Sequence, residues 1–370
     1  MKSFRELANA GIEDLMVYEP GRPIEEVARE LGFASADEIV KLASNENALG
    51  PSPRAIAAMC DSAAQMHLYP DGGAYYLKQA LAAALDVAPD QLLPGTGSNE
   101  LIELLGHVFL GPDCNIVMSR QAFVVYRLVA AAARAATIAV PMQNFTHDLD
   151  AMVEAVTPDT RIVFVANPNN PTGTMVSQAA IDRFMDRISP DVVVCFDEAY
   201  IELLDPADQP DVLQYVRQGR NVVVLRTFSK AYGLAGLRIG YAVAPAECIA
   251  LLNSVRQPFN ANAMAQNAAR AALADTEHVA HTRRMVRDGI AQLEAGLAAL
   301  GLPWVPTVVN FMLVEVGAGR ETFVALQKEG VITRAMDGYG LPRHIRITIG
   351  THEENERCLA ALARVMGAGT

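Results

Sequence analysis

The sequence predicts an α/β protein: a large domain with a mostly parallel sheet flanked by helices, joined to a smaller α+β domain. Three observations predict it. Several short apolar runs are continuous rather than alternating, as in VVVCFD (192–197) and VVVLRT (222–227), the pattern of strands covered on both faces. Helical segments fall between most of these runs. After about Val255 the texture changes to a long helical stretch followed by isolated strands.

Taken in order, residues 1–46 show no sheet pattern of their own and are assigned as a segment packing on the small domain. The large domain is assigned to 47–255 and the small C-terminal domain to 256–370. Ser52-Pro53 opens a helix through Ala64, with serine at the N-cap and proline at the first helical position. Leu77–Leu85 reads as a second helix. Strands follow at Asn115–Ser119, Thr137–Val140, Arg161–Ala166, Val192–Asp197, Val222–Thr227 and Ile239–Val243. In the small domain a helical stretch Asn262–Leu300 leads to a strand at Asn310–Val314, a helix at Glu321–Glu329, a strand at His344–Ile349 and a final helix from Glu353.

Composition narrows the function classes. Lys and Arg total 30 against 42 Asp and Glu, a formal net charge of -12, which disfavours nucleic acid and anionic membrane as partners. The five cysteines form no CxxC pair, so neither a disulfide framework nor a zinc site is expected. The N-terminus MKSFRELANAGIEDL carries charges where a signal peptide needs an apolar run. No stretch approaches a membrane span either, and the expected location is the cytoplasm. His278 and His281 are read as a solvated helix face, since no carboxylate cluster accompanies them to hold a metal.

The segment Thr227 to Gly240 carries the clearest chemistry. Lys230 follows directly from an apolar strand, flanked by hydroxyls and followed by glycines at 233, 236 and 240. A lysine at a strand end in a pocket loses hydration, which lowers its pKa and makes its amine nucleophilic toward an aldehyde. Thr227 and Ser229 can donate hydrogen bonds to a phosphate and Arg238 can grip it bidentately. A solvated lysine beside a glycine-rich turn is the competing reading of the segment alone. Upstream, Gly95-Thr-Gly-Ser-Asn-Glu100 precedes an amphipathic helix. Backbone N–H groups at a helix start favour an anion, which makes Ser98 and Asn99 a candidate phosphate cradle. A dinucleotide fingerprint is disfavoured there, because the third glycine is missing and no strong strand leads in.

The pattern S-K-x-x-G-x-x-G-x-R-x-G at Ser229–Gly240 resembles the lysine motif of fold-type-I pyridoxal-phosphate-dependent aminotransferases. Asn167 to Gly173 (NPNNPTG) looks like that family's asparagine loop, and Asp197-Glu-Ala-Tyr200 like its D-E-A-Y segment. Leu42–Asn47, Tyr69-Pro-Asp71, Gly338–Pro342 and Ile345–Gly350 resemble the histidinol-phosphate aminotransferase subgroup of the class II family.

The resemblance implies roles residue by residue. Lys230 would hold pyridoxal 5'-phosphate and act as general base. Asp197 would keep the pyridine nitrogen protonated, and Tyr200 and Asn170 would share the cofactor's phenolic oxygen. Phe123 would lie against the ring, in a Ser-Arg-Gln-Ala-Phe context where the family more often shows Pro-Thr-Tyr. Tyr69 would reach the neighbouring subunit's cofactor phosphate, making the protein a homodimer with shared active sites. Arg346 would bind the substrate's anionic group, with Arg334 a second contact for a phosphate. The implied reaction is transamination between a small-molecule amino donor, L-histidinol phosphate, and a 2-oxo acid, 2-oxoglutarate, in histidine biosynthesis. An aromatic-amino-acid aminotransferase or a phosphate-substrate decarboxylase would use the same apparatus. From another class, a regulatory protein could keep the cofactor without turnover.

Overall fold

The computed structural model of the chain describes residues 2–8, 12 and 24–367. Part of the N-terminal segment, 9–11 and 13–23, therefore lies outside the described residues.

The strands are β1 (Val40–Lys41), β2 (Leu92–Gly95), β3 (Asn115–Ser119), β4 (Ala136–Val140), β5 (Thr160–Ala166), β6 (Val193–Asp197), β7 (Val222–Thr227), β8 (Gly240–Val243), β9 (Trp304–Val305), β10 (Phe311–Glu315), β11 (Val331–Ile332), β12 (Arg334–Ala335) and β13 (His344–Thr348). Seven of them form the large sheet, in the order β2-β8-β7-β6-β5-β3-β4. Pairing is parallel from β7 across to β4, whereas β8 runs antiparallel to both β7 and β2. The run Val193–Asp197 sits at the centre, and its inner residues are buried. Helices cover both faces, which is why these strands read as unbroken apolar runs. At the β4 edge the pattern relaxes and Ala136 and Ala139 are exposed.

The smaller sheet is antiparallel, ordered β12-β13-β10-β9. Its β13 holds Arg346 opposite Leu313 on one side and opposite Arg334 on the other. Behind it pack Leu293, Leu297, Cys358 and Leu362. The core around the large sheet takes in Ala265, Ala268, Val279 and Val286. Among the described residues, no helix is long and apolar enough to cross a membrane.

Four local expectations need correction. A strand does lead into the GTGSNE segment: β2 is short, proline-containing and lies at the sheet edge, so its signal is weak. Among the described residues it pairs only with antiparallel β8, so they do not form the parallel βαβ unit that a dinucleotide fingerprint requires. The N-terminal segment does contribute a strand, since β1 pairs in parallel with β11. Two residues are too few for a periodic signal. The stretch 262–300 is two helices, Ala263–Leu273 and Thr276–Ala299, divided where the Asp275 side chain caps the second by accepting from His278 N. Finally, His278 is not simply solvated: its Nε2 donates to the Gly50 carbonyl at 3.0 Å.

Candidate active site

The C-terminal ends of β5, β6 and β7 open side by side, the place where parallel α/β sheets bind ligands. The loop after β5 carries Asn170, the end of β6 carries Asp197 and Tyr200, and the end of β7 carries Thr227, Ser229 and Lys230. All six line one cavity. From the sides, Ser98, Asn99, Phe123 and Arg238 join it, and the small sheet contributes Arg334 and Arg346. Tyr69 is the exception. Its ring is 82% exposed and stacks on Phe259 with centroids 4.7 Å apart, outside the cavity.

Lys230 Nζ donates to the carbonyls of Ser44 at 3.2 Å and Asn45 at 3.3 Å. Burial lowers its pKa to about 8, helped by the positive field of Arg346. Near neutrality a fraction of these amines is therefore unprotonated, which a nucleophile requires. Asp197 is held by two donors: the Tyr126 hydroxyl at 2.6 Å and the Ala199 amide at 3.2 Å. Burial pushes its pKa up, while the Tyr126 hydrogen bond and the charge of Lys230 pull the other way. The hydroxyl of Tyr200 accepts from Asn45 Nδ2 at 2.9 Å, and burial raises its pKa to about 12.

A hydroxyl and guanidinium cluster fills one end of the cavity. Thr227 Oγ1 donates to Ser229 Oγ at 3.0 Å, and Arg238 Nη1 donates to the same oxygen at 3.3 Å. Arg238 has φ 54° and ψ 67°, left-handed values uncommon for a side-chain-bearing residue. Asn45, at the opposite wall, also has φ 54°. Such backbone strain persists where the surroundings over-determine it, and it concentrates at ligand sites. Beside Arg238, Gly97 has φ +73°, and a Cβ there would lie 2.6 Å from the Arg238 guanidinium. Only glycine allows this helix start to approach the arginine so closely.

Arg346 closes the other end. It is buried, donates to Asn170 Oδ1 at 2.6 Å and to the Ala43 carbonyl at 2.8 Å, and lies over the Phe311 ring. Because Asn170 Oδ1 accepts from Arg346, its NH₂ group is the end left to donate.

Three further residues belong to the site. Asn45 and Tyr339 lie inside motifs that carry the family resemblance, yet nothing in the sequence separates them from their neighbours there. Both line the cavity. Tyr126 sits one helical turn beyond Phe123, edge-on to it at 5.7 Å and stacked on Phe164 at 4.4 Å. A hydroxyl-bearing aromatic in the apolar helix Val125–Ala132 was the available signal, since a buried tyrosine needs a hydrogen-bond partner.

Comparison with known proteins identifies the family. The family model for aminotransferase class I and II matches residues 37–362. The histidinol-phosphate aminotransferase of Akkermansia muciniphila is 49% identical over 98% of this chain and 100% of its own length. That of an Anaeromyxobacter species is 48% identical over 96% of this chain and 98% of its own. The crystal structure of the histidinol-phosphate aminotransferase from Sinorhizobium meliloti in complex with pyridoxal-5'-phosphate superposes with a TM-score of 0.88 at 26% identity, covering 98% of each chain. With the lysine, aspartate and paired arginines gathered in one cavity, the chain belongs to the class I and II aminotransferase family, among the histidinol-phosphate aminotransferases.

Proposed function

We propose that the protein transfers the amino group of L-histidinol phosphate to 2-oxoglutarate, using pyridoxal 5'-phosphate held at Lys230. The observation that carries this reading is the cavity itself. A depressed-pKa lysine and a buried aspartate occupy its floor, with anion-binding groups at both ends. The donor set fits the cofactor. Ser98, Asn99, Thr227, Ser229 and Arg238 suit a phosphate, and Asp197 suits a protonated ring nitrogen. Asn170 and Tyr200 suit a phenolic oxygen, and Phe123 suits a ring face.

When bound, the cofactor supplies an aldehyde that condenses with amines and a ring that takes up an electron pair. The protein supplies the rest. Lys230 Nζ would take the proton from the amine-bearing carbon of the donor. Asp197 would keep a proton at the ring nitrogen, and the Tyr126 hydroxyl, donating to Asp197, opposes the upward push of burial on its pKa. Arg346 would orient the substrate's anionic end in both half-reactions, a phosphate in one and a carboxylate in the other, with Arg334 a second contact used chiefly by the phosphate.

The protein acts as a cytoplasmic homodimer in histidine biosynthesis, with Tyr69 reaching the partner's phosphate site. The exposed Tyr69–Phe259 stack supports that placement. Turnover with 2-oxoglutarate and histidinol phosphate, compared with phenylalanine, tyrosine and aspartate, tests the substrate. Preference for phenylalanine would move the assignment to the aromatic amino acids. Mixing inactive Lys230→Ala protein with a variant disabled at Tyr69 and other phosphate contacts should restore partial activity. Full activity in a demonstrated monomer would refute the shared site.

A further inference from the structure

Three chain segments far apart in sequence meet behind the Ser98–Asn99 cradle. Asn260 is their junction. Its Nδ2 donates to Glu100 Oε2 at 2.8 Å and to the Pro94 carbonyl at 3.3 Å, while its backbone carbonyl accepts from Thr96 Oγ1 at 2.7 Å. Glu100 Oε2 also accepts from the Thr96 amide. Arg256 grips the junction from the other side. Its Nη1 donates to Asn260 Oδ1 at 2.6 Å, and its Nη2 donates to the Gly72 carbonyl at 3.0 Å, in the turn just after Tyr69.

Two electrostatic effects conflict at this junction. Glu100 is an acid in the first turn of the helix whose first residues line the cavity. A carboxylate there complements the helix dipole, yet it also opposes an anion bound at the same helix start. Two features reconcile these effects. The Thr96 amide and the Asn260 side-chain amide both donate to Glu100 Oε2, so that oxygen is spent on the protein rather than left facing the cradle. Arg256 then places a positive charge one hydrogen bond further on.

We infer that Asn260, anchored by Arg256, is a positioning residue for the phosphate cradle. It holds Glu100 and Thr96 so that the helix start at Gly97–Asn99 faces Arg238 and Ser229 at the distance a phosphate needs. The inference rests on the reading that the cavity takes pyridoxal phosphate with its phosphate at Ser98–Asn99. The same guanidinium holds the Gly72 turn, so the segment carrying Tyr69 and the cradle are set by one network.

The test measures binding to cofactor-stripped protein of two ligands that differ only in the phosphate: pyridoxal phosphate and pyridoxal. Asn260→Ala should weaken pyridoxal phosphate about tenfold or more and leave pyridoxal within about twofold. Inorganic phosphate should compete less well for the variant than for the wild type. Asn260→Asp should be worse than Asn260→Ala, because it sets two carboxylates against each other. Adding Glu100→Gln to Asn260→Asp should recover much of the loss, since the new amide donates to the new carboxylate and its oxygen still accepts from Thr96. Equal weakening of both ligands in Asn260→Ala, or no weakening of either, would overturn the inference. So would failure of the double variant to improve on Asn260→Asp. A wild-type protein that binds pyridoxal as tightly as pyridoxal phosphate would instead remove the underlying reading of the cradle.

Discussion

Arg334 and Arg346 are direct cross-strand partners in the antiparallel β12–β13 pair, and both line the cavity. Like charges directly opposite each other on a sheet repel. An arrangement of this kind is stabilised when an anion lies between or beside the two guanidiniums, and the substrate offers one in each half-reaction. Arg346 is the more deeply buried and is fixed by Asn170 and Ala43. Arg334 is half-buried at the cavity wall. Arg346→Ala should therefore impair both half-reactions by about 2–5 kcal/mol, roughly thirtyfold to a few thousandfold. Arg334→Ala should weaken histidinol phosphate more than glutamate, because only the dianionic phosphate needs both forks. Single-turnover measurements of each half-reaction separate the two, and equal losses in Arg334→Ala would reject its phosphate role.

Tyr126 offers a second check. Its hydroxyl bond lowers the pKa of Asp197 against the upward push of burial. Tyr126→Phe removes that bond, so the Asp197 pKa should rise further. The acidic limb of the activity profile should move to higher pH in the same direction. Asp197→Asn should keep the fold and lose most activity at every pH, with the effect on proton abstraction. An unchanged profile in Tyr126→Phe would show that the hydroxyl does not tune the aspartate.

Lys230 can be tested without turnover. In the cofactor-free protein its amine should react with acylating reagents along a titration curve centred near 8, against the usual 10.5. Burial is the main cause and Arg346 the second, so Arg346→Ala should move the midpoint upward. In the loaded protein, borohydride should fix the cofactor to Lys230, and Lys230→Ala should abolish turnover. Attachment at another lysine would overturn the assignment.

The large-sheet strands were legible because a short, unbroken apolar run such as VVVLRT can be buried only where both of its faces are covered. Lys230 was legible because its glycine spacing is so constrained. Other features left no local trace. The Tyr126–Asp197 bond joins residues 71 apart and the Asn45–Tyr200 bond residues 155 apart. Neither contact has a periodic or compositional signature. Helix continuity also hid a boundary. Val286 belongs to the core of the large sheet and Leu293 to that of the small one, yet both lie on the helix Thr276–Ala299. We propose that the large and small domains divide within this helix rather than at 255.

Glu202 provides a stability test beneath the site. Its carboxylate is buried, and neither oxygen has a hydrogen-bond partner among the described residues. The nearby ion pair of Arg226 with Glu198, at 2.8 Å, engages the guanidinium that could otherwise serve it. Burial pushes the Glu202 pKa up to about 7 from 4.5, with the charge of Arg226 only partly opposing the rise. The folded protein thus holds a proton that the unfolded chain has released between pH 4.5 and 7. A raised carboxyl pKa means that stability falls as pH climbs through this window and stays reduced above it. Glu202→Gln, which is neutral at every pH, should remove that decline. At pH 8 it should be more stable than the wild type by roughly 1–3 kcal/mol, while near pH 4.5 the two should unfold alike. Thermal and urea unfolding across this range supply the comparison. A wild type whose stability does not fall between pH 5 and 8 relative to Glu202→Gln would mean that the carboxylate finds compensation on folding, and the buried, unpartnered acid would not be a cost to this fold.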